Sequence, residues 1–166
     1  MIRKAATEDI PELRRMADIA FRDTYRTILS PGQMEYMIDW MYSEESLLNQ
    51  MLQKGHTYYI VEGKGYVSFR EDGRTPAGLR LFHLEKIYVL PEFKGSGLGK
   101  LLFGTVVNEA RKIAGEEPFR IELNVNRNNP AVGFYEHLGM YKAREGDFPI
   151  GNGYYMNDYI YAIDLD

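Results

Sequence analysis

Residues 84–103, LEKIYVLPEFKGSGLGKLLF, constrain the fold of this chain more than any other stretch. Leu84, Lys86, Tyr88 and Leu90 alternate with Glu85, Ile87 and Val89, and β-branched and aromatic residues are plentiful, so the segment begins as a strand. Pro91 cannot donate to a ladder and ends it. The turn KGSGLGK at 94–100 places glycine at 95, 97 and 99, and a helical run, LLFGTVVNEARKIAG, follows. Alternate residues without side chains leave backbone N–H groups free to converge on an anion, and the helix that starts there adds the positive end of its dipole. Strand, bare loop and helix start together predict a cradle for a phosphorylated ligand. A glycine-rich turn without chemistry is the competing reading.

Two common phosphate loops are excluded by spacing. A P-loop needs Gly five residues before Gly99-Lys100 and Ser or Thr after it, where Lys94 and Leu101 stand. The dinucleotide fingerprint needs a third Gly at position 100, which is Lys100. The remaining pattern, KGSGLG behind a strand containing Tyr-Val-x-Pro, resembles the GNAT superfamily of N-acyltransferases, whose Q/R-x-x-G-x-G/A loop binds the pyrophosphate of acetyl-CoA. Lys94 stands where that family prefers Gln or Arg. A second stretch, NVNRNNPAVGFYEHLGM at 124–140, is similar to the family's other CoA motif, with Asn128, Ala131, Tyr135, Gly139 and Met140 at matching places. The resemblance covers residues 80–142, with weaker agreement elsewhere.

At 166 residues and 45% hydrophobic content, the chain is one domain's worth, 1–166, with enough apolar material for a core. No apolar run is long enough to span a bilayer, and MIRKAATEDIPEL lacks a signal-peptide pattern, so the cytoplasm is the expected compartment. With no cysteine, disulfides and thiolate chemistry are excluded, and His56, His83 and His137 have no metal-ligand spacing. A net charge of −4 argues against nucleic acid and suits a cationic substrate. The thirteen tyrosines fit strands and pocket linings.

Along the chain, Met1–Ala5 reads as an edge strand. Thr7 reads as the cap of a helix with an apolar stripe of Ile10, Leu13, Met16, Ala17, Ala20 and Phe21. Ser30-Pro31 and Ser43 start two further helices, the first with Met34, Met37, Ile38 and Met41 on its apolar face. TYYIVEGKGYVSFRE from Thr57 reads as a hairpin turning at Glu62–Gly65, and Asp72-Gly73 marks a looser connection into a long strand at 79–90. Strands follow at 119–125, 140–145 and 154–165, with a short helix over 130–138. This order gives an α/β fold, a mixed, mostly antiparallel sheet with helices on both faces, as in the GNAT acyl-CoA N-acyltransferase fold.

Acetyl transfer from a thioester to an amine makes three demands. The amine, with a reference pKa of about 10.4, must lose a proton; the tetrahedral oxyanion needs donors; the leaving thiolate should gain a proton. The resemblance implies Tyr135 as the general acid and Glu85 as the base, the latter on a pattern similar to the polyamine (spermidine/spermine) branch. It implies that Ile87, Tyr88 and Val89 bind pantetheine through their backbone, that Lys94, Gly95, Ser96, Gly97, Leu98, Gly99 and Lys100 hold the pyrophosphate, and that Asn128 and Tyr135 contact CoA. Phe21, Tyr25, Glu85 and Tyr155 become candidate acceptor contacts, with Tyr36, Trp40, Met156 and Asp158 as further linings; core packing competes for the aromatic residues. Asn124 is placed only to position a water.

The expected function is acetyl-CoA-dependent N-acetylation of a small amine, polyamines first, without metal, nucleic acid or membrane, and compatible with a homodimer. Acetylation of a protein amino group and a non-catalytic CoA-binding regulatory module are the alternatives; the intact Tyr135 and Glu85 count against the latter.

Overall fold

The computed structural model describes Met1–Asp166. Seven strands, β1 (Ile2–Lys4), β2 (Thr57–Val61), β3 (Gly65–Arg74), β4 (Arg80–Val89), β5 (Phe119–Asn126), β6 (Tyr141–Gly151) and β7 (Tyr154–Leu165), form one sheet in the order β1-β2-β3-β4-β5-β7-β6. The helices are α1 (Ile10–Tyr25), α2 (Pro31–Tyr42), α3 (Glu44–Leu52), α4 (Leu98–Ala114) and α5 (Ala131–His137). β4 and β5 run parallel, from Arg80 opposite Phe119 to Leu84 opposite Leu123, whereas β1/β2, β2/β3, β5/β7 and β6/β7 are antiparallel. The expected α/β, mostly antiparallel architecture is therefore present.

The chain packs as two compact units, Met1–Arg70 with Glu85–Val106, and Glu71–Leu84 with Val107–Asp166. In the first unit, the whole predicted stripe of α1 is buried. Phe21 joins a ring cluster with Tyr25 at 4.6 Å and with Tyr42 and Tyr88 at 6.1 Å between centroids. Truncating a buried ring of this kind to Ala costs about 3–5 kcal/mol. Gly65–Phe69 of β3 is buried on both faces, as befits an interior strand.

The caps at Ser30 and Ser43 form as expected, accepting from the Gln33 N–H at 3.2 Å and the Ser46 N–H at 3.1 Å. Thr7 does not cap α1. Residues Thr7–Asp9 make a 3-10 turn, and the Asp9 carboxylate accepts from the Ala6 N–H at 2.8 Å. Asp72-Gly73 likewise lies inside β3, where Gly73 takes a φ of 70° without ending the strand.

In the second unit, Phe82 and Phe119 meet edge to face at 5.7 Å, and Ile121, Leu123 and Val125 are buried beside them. On the opposite face of β5, Glu122 is a buried carboxylate. Burial pushes its pKa up, but Arg144, bonding both oxygens at 2.9 and 3.1 Å, and Arg120 outweigh that and hold it below the usual range. β6 is longer than the expected 140–145, and Pro149 is tolerated within it because β6 is an edge strand.

Candidate active site

Pro91–Phe93 make a single 3-10 turn after β4, and the chain then opens into the glycine loop. Gly95 and Gly97 have φ values of 80° and 86°, which glycine adopts without steric penalty. A Cβ on either would meet no protein atom within 4 Å, so these glycines serve backbone shape and outward access, not packing. Ser96 Oγ donates to the Phe93 carbonyl at 2.5 Å and accepts from the Leu98 N–H at 3.4 Å. The Leu101 N–H bonds the Gly97 carbonyl at 3.1 Å. The N–H groups of Gly99 and Lys100 therefore fall in the first turn of α4, where no intrahelical acceptor exists for them. An exposed, bare loop ending in such donors fits a pyrophosphate. Lys94 ties the loop to α1 through Asp23, 3.3 Å away. A cavity of about 330 Å³ flanks the loop, with Lys64, Phe93, Ser96 and Leu101 among its walls.

β4 carries the other candidate groups of the first unit. Ile87, Tyr88 and Val89 are half-buried. A Cβ on Gly65 would lie 2.7 Å from the Tyr88 carbonyl oxygen and 3.3 Å from the Val89 Cα, so glycine at 65 permits a close backbone approach to this segment. Glu85 is half-buried; its Oε1 accepts from Arg70 Nε at 2.6 Å, with His56 Nε2 3.8 Å from the same oxygen.

Lys86, next in sequence, points into the core and is only 7% exposed. Its ammonium donates to Tyr58 Oη at 2.6 Å, Gln50 Oε1 at 2.9 Å and the Met41 carbonyl at 3.1 Å, and stands 4.3 Å from the centre of the Tyr42 ring. Burial pushes its pKa down to about 7. Sequence reasoning singles out neither Arg70 nor Lys86, and it weighs His56 only as a metal ligand. The signal for Lys86 is its register, since it shares a face with Phe82 and Leu84.

Phe21, at 1% exposed, and Tyr25 are buried in the ring cluster of α1, so packing accounts for both as they stand. Trp40 on α2 is 45% exposed. Tyr155, in the second unit, is 51% exposed and lies opposite Pro149 near the tip of the β6–β7 hairpin.

Also in the second unit, Tyr135 is 7% exposed on α5, its ring 5.4 Å from that of Phe134. Asn128 is exposed, and its N–H bonds Asn126 Oδ1 at 2.9 Å. The bond to the start of α5 comes from Asn129, whose Oδ1 accepts from the Ala131 N–H at 2.9 Å. Asn128 is thereby relieved of the capping role that competed with a ligand contact. Asn124 donates to Asp158 at 3.2 Å, and burial raises the pKa of that carboxyl.

Loop, strand and short helix define a class. The profile of the Acetyltransferase (GNAT) family matches residues 14–140, and the chain belongs to that family. Among curated proteins, the chain is 27% identical over 159 residues to an uncharacterized N-acetyltransferase in the pepI 3′ region of Lactobacillus delbrueckii subsp. lactis, covering 90% of this chain and 88% of the other. Among solved structures it is similar to the paiA N-acetyltransferase of Thermoplasma acidophilum in complex with coenzyme A, with a TM-score of 0.73, 22% identity, and coverage of 98% and 96% of the two chains. It is also similar to yncA of Salmonella typhimurium with acetyl-CoA, with a TM-score of 0.64, 19% identity, and coverage of 100% and 94%. The fold is thus the GNAT fold, and the chain is a member of the GNAT acetyltransferase family. No helix is long and apolar enough to cross a membrane.

Proposed function

We propose that this chain moves the acetyl group of acetyl-CoA directly to the primary amine of a small, polyamine-like acceptor in a ternary complex. The observation that carries the donor half is the loop at 94–100, with positive φ at Gly95 and Gly97 and the first-turn donors of α4 behind them. The acceptor half draws on Glu85, a half-buried carboxylate on β4 suited to meeting an ammonium, and on the exposed Tyr155 of the carboxy-terminal hairpin.

In this reading Glu85 takes one proton from the acceptor ammonium, directly or through water, and passes it to solvent. The freed nitrogen lone pair attacks the thioester carbonyl carbon, forming the C–N bond and an oxyanion. Main-chain N–H groups of Ile87–Val89, beyond the stretch of β4 paired with β5, stabilise that oxyanion and hold pantetheine. As the C–S bond breaks, the Tyr135 phenol protonates the departing sulfur, and the second proton of the nitrogen restores the phenol. The products are an N-acetylated amine, CoA and one proton. Asn128, exposed at the end of β5, contacts CoA.

The test is thiol release from acetyl-CoA against spermidine, butylamine, and peptides with a free amino terminus or an internal lysine. Fastest turnover with spermidine is expected. Turnover confined to the peptides would overturn the acceptor assignment, and tight CoA binding without turnover on any amine would make the chain a binding module.

A further inference from the structure

Residues 56, 70 and 85 lie together in the first unit, just ahead of β2 and on the neighbouring strands β3 and β4. His56 immediately precedes β2, Arg70 follows Phe69, which pairs with Thr57, and Glu85 lies on β4. Their side chains converge on one atom: Arg70 Nε donates to Glu85 Oε1 at 2.6 Å, and His56 Nε2 lies 3.8 Å from that oxygen. All three are partly shielded, with side-chain exposures of 11% for His56, 31% for Arg70 and 21% for Glu85.

His56 defines the chemistry of this trio. Burial pushes its pKa down to about 4, the cations Lys86, Arg70 and Lys54 add to that, and Glu85 opposes it, so the imidazole is neutral at physiological pH. Its Nδ1 is buried without a hydrogen-bond partner. A neutral ring carries one N–H. Placed on Nε2, that hydrogen faces a carboxylate oxygen; placed on Nδ1, it would be buried unpaired while a lone pair faced Glu85. The Nε2–H tautomer therefore fits this site, and leaving Nδ1 unmet carries a desolvation cost that packing alone does not explain.

We infer that Arg70 and His56 are positioning residues that together fix the Glu85 carboxylate for the acceptor ammonium, Arg70 by its bond to Oε1 and His56 by presenting Nε2–H to the same oxygen. The inference rests on Glu85 receiving the acceptor's proton, as proposed above. A carboxylate that accepts a proton along one line needs a locked rotamer, and groups that lock such a rotamer affect turnover through it. Arg70 and His56 keep their own protons throughout. Because Arg70 balances the charge of Glu85 and His56 adds none, the trio works by orientation and not by bulk attraction.

The experiment combines kinetics on acetyl-CoA and spermidine with 15N spectra of the three histidines. Arg70→Met should lower kcat/KM about 10- to 100-fold with acetyl-CoA KM unchanged. His56→Leu should lower it severalfold, while His56→Gln, which keeps an N–H near the Nε2 position, should stay near wild type. On a Glu85→Gln background, neither Arg70→Met nor His56→Leu should lower activity further. The spectrum of His56 should show the neutral Nε2–H tautomer at pH 6, a readout that needs no acceptor. An Nδ1–H tautomer, or equal losses with and without Glu85, would overturn the inference. Wild-type turnover in Glu85→Gln would instead remove the role of Glu85 itself, a distinct failure.

Discussion

Lys86 Nζ donates to the Tyr58 hydroxyl at 2.6 Å inside the core of the first unit, and the same nitrogen bonds Gln50 and the carbonyl of Met41. One ammonium thus joins β4 to β2, α3 and the end of α2, using all three of its hydrogens. Tyr58 in turn donates to Gln50 Oε1 at 2.5 Å, and burial pushes its own pKa up.

This arrangement predicts a particular pH dependence. Burial lowers the Lys86 pKa to about 7 from its ordinary 10.5. Between those values the unfolded chain holds a proton that the folded chain has released, so stability rises with pH from about 7 to about 10. Below 7 the penalty for burying the cation is present in full and amounts to several kcal/mol, each tenfold loss of proton affinity being worth about 1.4 kcal/mol. Lys86→Met should flatten the slope across that window in denaturant titrations. An unchanged slope would mean that the amine is solvated.

His56 behaves analogously at lower pH. Its pKa of about 4 lies below the ordinary 6.5, so the unfolded chain binds the extra proton first. Stability should fall as pH drops below 6.5, with the loss complete near 4 and worth up to about 3 kcal/mol. His56→Gln should remove this acid sensitivity when melting temperatures are compared at pH 4 and 7.

Gly65→Ala should disturb Ile87–Val89, the segment proposed to bind pantetheine. The added methyl would meet the Tyr88 carbonyl at 2.7 Å, and backbone atoms cannot swing aside as a side chain does. A loss of about 1–3 kcal/mol is expected, together with a raised acetyl-CoA KM. Thermal melts and steady-state kinetics on the same sample check both effects.

Gly97→Val should act mainly on donor binding. A Cβ there meets no protein atom within 4 Å, but the φ of 86° disfavours a β-branched residue, and the side chain would project over the loop's outer surface. CoA affinity measured calorimetrically should drop at least about tenfold, the scale of one lost charge-assisted hydrogen bond. Unchanged affinity in a folded variant would place the pyrophosphate elsewhere.

Local features are legible in the sequence where local physics fixes them. The stripe of α1, the serine caps at 30 and 43, and the turn at 62–65 depend on neighbours within a few residues, and all three form. The glycine loop is legible for the same reason. Thr7 misleads because Thr7–Asp9 close a separate 3-10 turn ahead of α1, with the Asp9 carboxylate taking the Ala6 N–H. Gly73 misleads because its positive φ, usually a turn signal, is absorbed within β3. The Arg70–Glu85–His56 trio is invisible in the sequence: its members are brought together only by strand pairing, which periodicity does not specify. Lys86 is visible by register, yet a lysine on an apolar face reads as an error until its three acceptors are in view.

Acetyl transfer with Tyr135 as the acid is the central claim, and one comparison tests it most directly. Thiol release from acetyl-CoA is measured for wild type and Tyr135→Phe at equal melting temperature and equal CoA affinity. The sulfur gains charge only as its bond breaks, so the hydroxyl should matter in the transition state and not in ground-state binding. Turnover should fall by roughly ten- to a thousandfold in the variant, on the scale of acid–base catalysis. Turnover near wild type would contradict the claim and leave Tyr135 as a packing residue of α5.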